Sequence, residues 1–392
     1  MANLQLFKSW PGTKLPVPDA YNEAAAPAYR FSAKHRLAQY AATGCLNSTF
    51  YAGAEAQLQT LLDLCQTVEP LFIAKTAVYC RERGYMKDTP ALLTVALMMR
   101  GQEHLPKVFG RVIYNGKMLR NVVQILRSGV IGRKSLGTRP KKLVQNWLNT
   151  ATERDLLPAA IGTQPSLADV IKMVHPKPTE IWRGAFFAWV IGKPYDLAAL
   201  PPLTQAYERY KRDPACAVPD VPFQLLAALA LGKPQWTAIA LNAGWHMLRM
   251  NLNTFARHGV FEDHQVVATL AQKLRNPEAI TKAKVFPYQL LAAYKAASPQ
   301  IPLALREALQ EALEIALVNV PEIAGRVVVC PDVSASMSSP VTGWRGTATS
   351  SVQCIDVAAL VAAALLRKNH DTLVLPFDTD VVAIDLNPRD SV

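Results

Sequence analysis

The sequence lacks most of the short motifs that mark common enzymes and metal proteins. Its six cysteines contain no C-x-x-C pair, and its histidines form no cluster, which excludes a zinc finger and a disulfide framework. We therefore expect buried thiols in a reducing compartment. No Ser-His-Asp order, Cys-His pairing or H-E-x-x-H motif occurs, so we expect no catalytic centre. The cysteines are Cys45, Cys65, Cys80, Cys216, Cys330 and Cys354.

Targeting and membrane-spanning segments are also missing from the sequence. The N-terminus has no apolar segment of the kind found in secretory signals, and no apolar run is long enough to cross a bilayer. We therefore expect a cytoplasmic protein. The 392 residues, 50% of them hydrophobic, are enough for two or three domains with their own cores.

Acidic residues are absent from a long window between His104 and Thr152. Over the whole chain, Lys and Arg outnumber Asp and Glu by 42 to 30, but in this window no acid offsets the cations. The segment 127–142 places its cations among Gly and Ser, so a loop followed by a helix could surround phosphates. We predict polyanion binding; a solvated basic face is the alternative. The candidate residues are Lys107, Arg111, Lys117, Arg120, Arg127, Arg133, Lys134, Arg139, Lys141 and Lys142.

Apolar residues recur at helical spacing from about residue 31 to residue 320. Breaks with Pro or Gly separate segments of ten to fifteen residues, a pattern typical of antiparallel helical hairpins stacked in series. No fixed repeat length is present, which favours a HEAT-like solenoid; a globular helical bundle is the alternative. Residues 1–30 have no such periodicity and predict an extended arm. Predicted helices include 58–65, 92–99, 118–126, 186–191, 225–231, 266–274 and 303–317.

The apolar run Val327–Cys330 predicts a strand buried on both faces, as in a parallel sheet. Asp332, Ser334 and Ser336 follow it, and a predicted helix at Val352–Lys368 comes after a polar loop. One carboxylate and two hydroxyls are hard oxygen ligands suited to Mg²⁺. The alternative is a Ser-rich turn that caps a helix without metal. A phosphatase with Asp332 as nucleophile needs a second Asp where Ser334 stands, so this class is disfavoured.

Two further segments could contact RNA. Trp245–His258 mixes aromatic, Arg, Asn and His residues on one predicted helix and its flank, and such side chains read or stack on unpaired bases. The alternative is an amphipathic helix whose Trp245 and Phe255 belong to the core. His175 ends a predicted helix before two prolines, and helix capping is its simpler interpretation.

Several segments resemble one family, the Ro ribonucleoprotein or TROVE-module proteins, in its bacterial form. The resemblance extends over nearly the whole chain. It implies a mostly α fold: a ring of HEAT-like helical repeats at 31–322, after the arm at 1–30, closed by an α/β von Willebrand A-type domain at 323–392. The segments are GCLNSTFYA (44–52), SLADVIKMVHPKP (166–178), LRMNLNTFARHGVF (248–261), PYQLLAAYKAA (287–297) and VVVCPDVSASM (327–337).

The resemblance also implies a function as a scaffold in the quality control of non-coding RNA. Small structured Y-type RNAs would bind an outer basic surface, and single-stranded ends of misfolded RNAs would enter the ring. An exoribonuclease would act with the protein, with the Y-type RNA as tether, and a ring closed by one chain implies a monomer. The alternative is a metal-dependent protein-interaction module on a helical solenoid, without an RNA role.

The resemblance assigns roles to individual residues. The family's metal motif covers Asp332, Ser334 and Ser336, and the resemblance implies that these residues bind a divalent cation, with Mg²⁺ expected. Residues 133–142 and His175 lie in stretches that face RNA. Residues near the inner face of the ring are Arg249, Asn251 and Asn253.

The A-type domain departs from the family pattern. A complete domain has about six strands, whereas this sequence predicts about three, at 326–331, 372–377 and 381–386. The family's remaining metal ligands, a Thr and a later Asp, have no counterpart before residue 392. We therefore expect a truncated A-type domain with weakened or absent metal binding.

Overall fold

Helices form most of the protein. The computed structural model describes residues 17–21, 25, 27–44, 46–49, 52–344, 346, 349–382, 384 and 386–387. In the first half, the helices are α1 (Ala33–Thr43), α2 (Ala54–Thr67), α3 (Pro70–Glu82), α4 (Asp88–Arg100), α5 (Leu105–Val112), α6 (Gly116–Ser128), α7 (Thr138–Thr150), α8 (Glu153–Ala159), α9 (Leu167–Val174) and α10 (Ile181–Ile191). In the second half they are α11 (Pro202–Arg212), α12 (Phe223–Leu226), α13 (Lys233–Asn242), α14 (Trp245–Met250), α15 (Leu252–Arg257), α16 (His264–Leu274), α17 (Pro277–Ala283), α18 (Pro287–Lys295), α19 (Leu303–Ile315) and α20 (Cys354–Lys368).

Local sequence sets several of the helix ends. Ser166 accepts a hydrogen bond from the Asp169 N–H, and the Asp169 carboxylate accepts one from the Ser166 N–H, which starts α9 with a capping box. Asn115 caps α6 in a similar way through Met118 N–H. Gly129 ends α6 in the left-handed conformation that glycine adopts without strain.

Two predicted helices differ from the observed ones. The apolar run 225–231 forms only the last part of the single-turn α12 and then leaves the helix; Leu225 packs against both cores. Residues 245–258 form two short helices, α14 and α15, since the backbone leaves the helical conformation at Asn251. The other predicted helices are confirmed.

The helical region has two consecutive hydrophobic cores. The first extends from Leu37 to Phe187 and the second from Tyr207 to Ala316. Trp189, among a few others, packs against both cores and joins them. Consecutive cores along the chain are typical of stacked helical hairpins, whereas a single bundle would have one shared core. The solenoid prediction is therefore confirmed over the bundle.

The two ends of the solenoid meet. The Lys284 ammonium donates a hydrogen bond to the Tyr85 hydroxyl at 2.9 Å, and its nitrogen lies 4.9 Å from the centre of that ring. Farther along, Asn47 donates to the Thr342 carbonyl, and the Trp344 N–H donates to the Ser48 carbonyl. These contacts join residues 199 and 295 positions apart, so the chain closes on itself as the predicted ring requires.

The C-terminal unit is a small parallel sheet with one helix. Strand β3 (Val328–Val329) pairs with β4 (Leu373–Val374) in parallel register, and a bridge between Asp332 and Phe377 extends the pairing. Helix α20 covers one face of this sheet. It also docks on the solenoid, where Asp356 accepts a hydrogen bond from Lys295 at 2.7 Å.

Two predictions for this unit were wrong. Val328 is 51% exposed, so β3 is buried on one face and not on both, because helix α20 covers only one side. Within the described part of 381–386 there is a single bridge at Val381 and no strand.

Two further corrections concern the N-terminal region and the thiols. The predicted extended arm contains a short antiparallel pair, β1 (Ala20–Tyr21) with β2 (Pro27–Ala28); residues 1–16 lie outside the described part. Cys216 and Cys330 are exposed, contrary to the expected burial, while Cys45 is not among the described residues. Burial does raise the pKa of Cys65 to about 12. Among the described residues, no helix is long and apolar enough to cross a membrane.

Candidate nucleic-acid interface and candidate metal site

The loop between α6 and α7 is folded by one of its own cations. The Arg133 guanidinium donates to the carbonyls of Ser135 and Leu136, at 2.7 and 2.6 Å. Gly137 has a φ of 71°, and a Cβ at this position would lie 1.8 Å from the Arg133 guanidinium. Arg133 therefore holds the loop in its conformation, and the charged guanidinium points into the loop.

Four other predicted cations come together beside this loop. Arg127, Lys134, Lys141 and Lys142 line an open cavity of about 710 Å³, together with Gln145 and the start of α7. We call this site the basic groove. Because the N-cap residue of α7 is Gly137, no side chain of that residue accepts a hydrogen bond from the first turn. The positive end of the α7 dipole therefore adds to the charge of the groove.

Little acidic charge opposes the groove. Asp169 is close enough for Arg127 to lower its pKa, although the hydrogen bonds from Ser166 are the larger cause. Its carboxylate is already bonded within the capping box of α9. The cations of the groove thus remain available to an outside anion such as a phosphate.

His175 lies next to the groove and ends α9. Its backbone has a φ of 52°, and its carbonyl accepts a hydrogen bond from Gln145, which lines the groove. The capping interpretation is confirmed. His175 is exposed, so capping and RNA contact do not exclude each other.

The remaining cations of the acid-free window point elsewhere. Arg139 donates to the Gln102 carbonyl at 2.8 Å, and Arg120 is half-buried against the Pro165 carbonyl. Lys117 is exposed on α6. Lys107 and Arg111 lie in a separate cleft between α3 and α5. The ten cations therefore form no single patch, and four of them line the basic groove.

The predicted inner-face residues hold helices together. Arg249 donates to the Gln289 carbonyl at 2.6 Å, and burial lowers the pKa of its guanidinium. Asn253 donates to the Ala296 carbonyl and accepts from the Ser298 N–H, while Asn251 donates to the Met247 carbonyl. Each of the three side chains therefore forms at least one hydrogen bond within the fold.

A cavity beside these residues was not predicted from the sequence. It measures about 540 Å³ and lies next to the contact between the two ends of the solenoid. The His246 Nε2–H donates a hydrogen bond to the Ala283 carbonyl at 3.1 Å, and burial lowers the pKa of the imidazole, so the ring is neutral at pH 7. Met250 beside it is 73% exposed. We call this site the His246 cavity; its other lining residues include Arg154, Asp220, Phe223, Asn242 and Asn251.

The three predicted metal ligands gather at the C-terminal end of the small sheet. The Phe377 N–H donates to the Pro331 carbonyl and so fixes the end of β3 beside β4. The Ser334 and Ser336 hydroxyl oxygens lie 3.2 Å apart, and the Asp332 carboxylate accepts from the Ser334 N–H at 2.8 Å. These hydrogen bonds from Ser334 lower the pKa of Asp332, which is therefore ionised at pH 7.

This donor set fits a hard cation with only part of its coordination supplied by protein. The described residues contain no cluster of three His, Cys, Asp or Glu side chains that could hold a metal. Asp378 and Asp380 follow β4 and are exposed, and the Asp378 N–H donates to the Asp380 carbonyl. One carboxylate and two hydroxyls suit Mg²⁺, with water or an outside anion at the other positions.

Comparison with solved structures gives a similarity of fold. No family model matches the chain, and no curated protein matches it. Among solved structures, the Ro (RSR) protein of Deinococcus radiodurans matches with a TM-score of 0.67 at 19% identity. The match covers 92% of this chain and 78% of that protein. The predicted fold class is confirmed: the chain has the fold of a bacterial Ro protein, a helical ring with a von Willebrand A-type unit.

Proposed function

We propose that this protein is an RNA-binding scaffold of the Ro type. Small structured RNAs of the Y type would bind the basic groove through their phosphates. The observation that carries the proposal is the convergence of Arg127, Lys134, Lys141 and Lys142 on the N-terminus of α7. Backbone N–H groups at a helix start and flexible cations are the usual partners of phosphate oxygens.

Single-stranded ends of misfolded RNA would enter the ring. The His246 cavity offers an exposed Met, a neutral imidazole and the side chain of Asn242. Unpaired bases bind to such mixtures of apolar surface and amide groups, since their edges are free to form hydrogen bonds. In this proposal, paired RNA binds the basic groove and unpaired ends bind the His246 cavity.

The proposed role involves partners and no catalytic step by this chain. An exoribonuclease would degrade the unpaired RNA, with the Y-type RNA as tether, and the protein would act as a cytoplasmic monomer. Asp332, Ser334 and Ser336 would hold Mg²⁺, which keeps residual positive charge and so attracts an anionic group of a partner. A protein-interaction module without an RNA role is the competing function.

Salt dependence of RNA binding tests the proposed function. For four phosphate contacts, at roughly 0.9 per contact, we expect the logarithm of the affinity to fall with the logarithm of salt concentration at a slope of about −3 to −4. Fluorescence anisotropy of a labelled RNA hairpin with the purified full chain gives this slope. A slope near zero, or no binding at low salt, contradicts RNA binding and favours the protein-interaction module.

The metal site is expected to be independent of RNA binding. Asp332→Ala removes the one carboxylate of the site, so stabilisation of the protein by Mg²⁺ in thermal unfolding should disappear. Affinity for the RNA hairpin should change less than twofold, since the site lies on a different structural unit. Asp378→Ala is the matched control at the same end of the sheet and should keep the Mg²⁺ effect. A large loss of RNA affinity in Asp332→Ala would show that RNA contacts this unit.

A further inference from the structure

A second positively charged site lies between α3 and α5, outside the basic groove. The cleft has a volume of about 410 Å³. Lys75, Tyr79 and Arg83 follow one another at four-residue spacing along α3 and its C-cap, so they share one side of the helix. Lys107 and Arg111, also four residues apart, face them from α5. We call this site the α3–α5 cleft.

The cleft keeps a net positive charge after its internal ion pair is formed. Glu82 accepts a hydrogen bond from Arg111 at 2.7 Å, and Arg111, with a smaller effect of Arg83, lowers the pKa of Glu82. The nearby Glu69 is bonded to Lys34, so it is not a full partner for Lys75. Once Arg111 is paired with Glu82, three cations of the cleft remain. They are all exposed: Lys75, Arg83 and Lys107.

An aromatic ring lies among these cations. Tyr79 is 62% exposed, although burial of a ring of this size is favourable. Aromatic rings flanked by cations bind single-stranded nucleic acid, because the base stacks on the ring and the phosphates contact the cations. The basic groove differs in this respect, since the residues that line it include no aromatic ring.

We propose that the α3–α5 cleft is a subsite for one unpaired nucleotide of a bound RNA. The base stacks on Tyr79, and the flanking phosphates contact Lys75, Arg83 and Lys107. This inference rests on the proposed RNA-binding function. In this scheme the basic groove takes phosphates of paired RNA, the His246 cavity takes an unpaired end, and the α3–α5 cleft takes one further unpaired nucleotide.

Substitution of Tyr79 tests the subsite with two RNA probes. A hairpin with a single-stranded tail and the same hairpin with a blunt end are titrated against the full chain. Tyr79→Ala is expected to weaken binding of the tailed hairpin about 5- to 140-fold, the range for loss of one stacked base, and to leave the blunt hairpin unchanged. Tyr79→Phe keeps the ring and should bind both probes like the wild type. Thermal unfolding of each variant checks that the fold is retained, as expected for an exposed side chain.

The outcomes separate the subsite from the proposed function. If Tyr79→Ala binds the tailed hairpin as well as the wild type does, the subsite is wrong while RNA binding through the groove stands. Equal losses for tailed and blunt hairpins also overturn it, since stacking of an unpaired base then plays no part. If the wild-type protein binds neither probe, both proposals fail. A double change, Lys75→Ala with Lys107→Ala, should lower the salt slope for the tailed hairpin by about one to two.

Discussion

Replacing Arg127, Lys134, Lys141 and Lys142 together with alanine is expected to weaken binding of structured RNA about a hundredfold or more at moderate salt. Each side chain lines the basic groove, and each phosphate contact contributes through release of condensed counterions. The slope of affinity against salt should fall toward zero at the same time. Fluorescence anisotropy at several salt concentrations measures both quantities in one experiment.

A control with the same change in net charge separates local contact from overall attraction. Lys193, Arg212, Lys282 and Arg326 are exposed and lie on four different elements or loops away from the groove. Their joint replacement with alanine lowers the charge equally, and we expect less than a fivefold loss of affinity, because distant charges are screened. Similar losses for the two quadruple variants would show that RNA recognises only the overall charge of the protein.

Arg133 is left out of the groove variant for a structural reason. Its guanidinium donates to two carbonyls of the loop and lies against Gly137. Its removal would change the path of the loop between α6 and α7, and a loss of RNA binding could then not be assigned to charge. The direction of this side chain was not readable from the sequence, in which Arg133 and Lys134 look equivalent.

Helix positions were largely predictable because the spacing of apolar residues indicates which side of a helix faces the core. The failures occur where the backbone changes direction. The helix predicted around Leu225, which packs against both cores, stops after one turn. At Asn251, α14 ends and α15 begins, whereas the sequence pattern continues without a break. Periodicity does not reveal such changes of direction.

The strand prediction shows a different limit. A run of Val predicts burial on both faces, but the second face is covered only if other elements pack there. In this chain, α20 packs on one side of β3, and Val328 is exposed on the other. The order of strand, Asp, Ser and Ser was sufficient to predict that the three candidate metal ligands lie at one end of the sheet. Their mutual distances follow from backbone hydrogen bonds that no pattern specifies.

The location of the candidate RNA site was predictable from the sequence, but only some of the residues that line it were. The absence of acids identified the stretch that contains the groove, since charge balance is a property of sequence. Which cations are free depends on contacts across the fold, such as that between Arg111 and Glu82, 29 residues apart. The α3–α5 cleft was not predictable from the sequence for the same reason, because Tyr79 and Lys107 come together only through helix packing.

Replacement of Arg183 with alanine is expected to lower the free energy of unfolding by about 3 kcal/mol or more. Its side chain is 3% exposed, and its guanidinium donates to the carbonyls of Leu148 and Ala151 at 2.8 and 2.7 Å. These carbonyls belong to the C-terminal end of α7, the helix whose other end borders the basic groove. The same guanidinium donates twice to Glu180, so removal leaves buried acceptors unpaired and a cavity in the first core. Chemical denaturation of the purified variant measures the loss.

Arg154→Ala is the matched control for Arg183→Ala. Arg154 also pairs with a carboxylate, that of Asp220 at 3.3 Å, but both side chains are mostly exposed, so we expect a change within about 0.5 kcal/mol. Arg183→Lys should lower the free energy of unfolding by an intermediate amount, because one ammonium cannot reach acceptors on both α7 and Glu180 with the geometry of a guanidinium. If the two alanine variants lost the same small amount of stability, the hydrogen bonds of Arg183 would not hold the end of α7. The position of the groove would then depend on the packing of the buried residues of α7, which are Pro140, Val144 and Leu148.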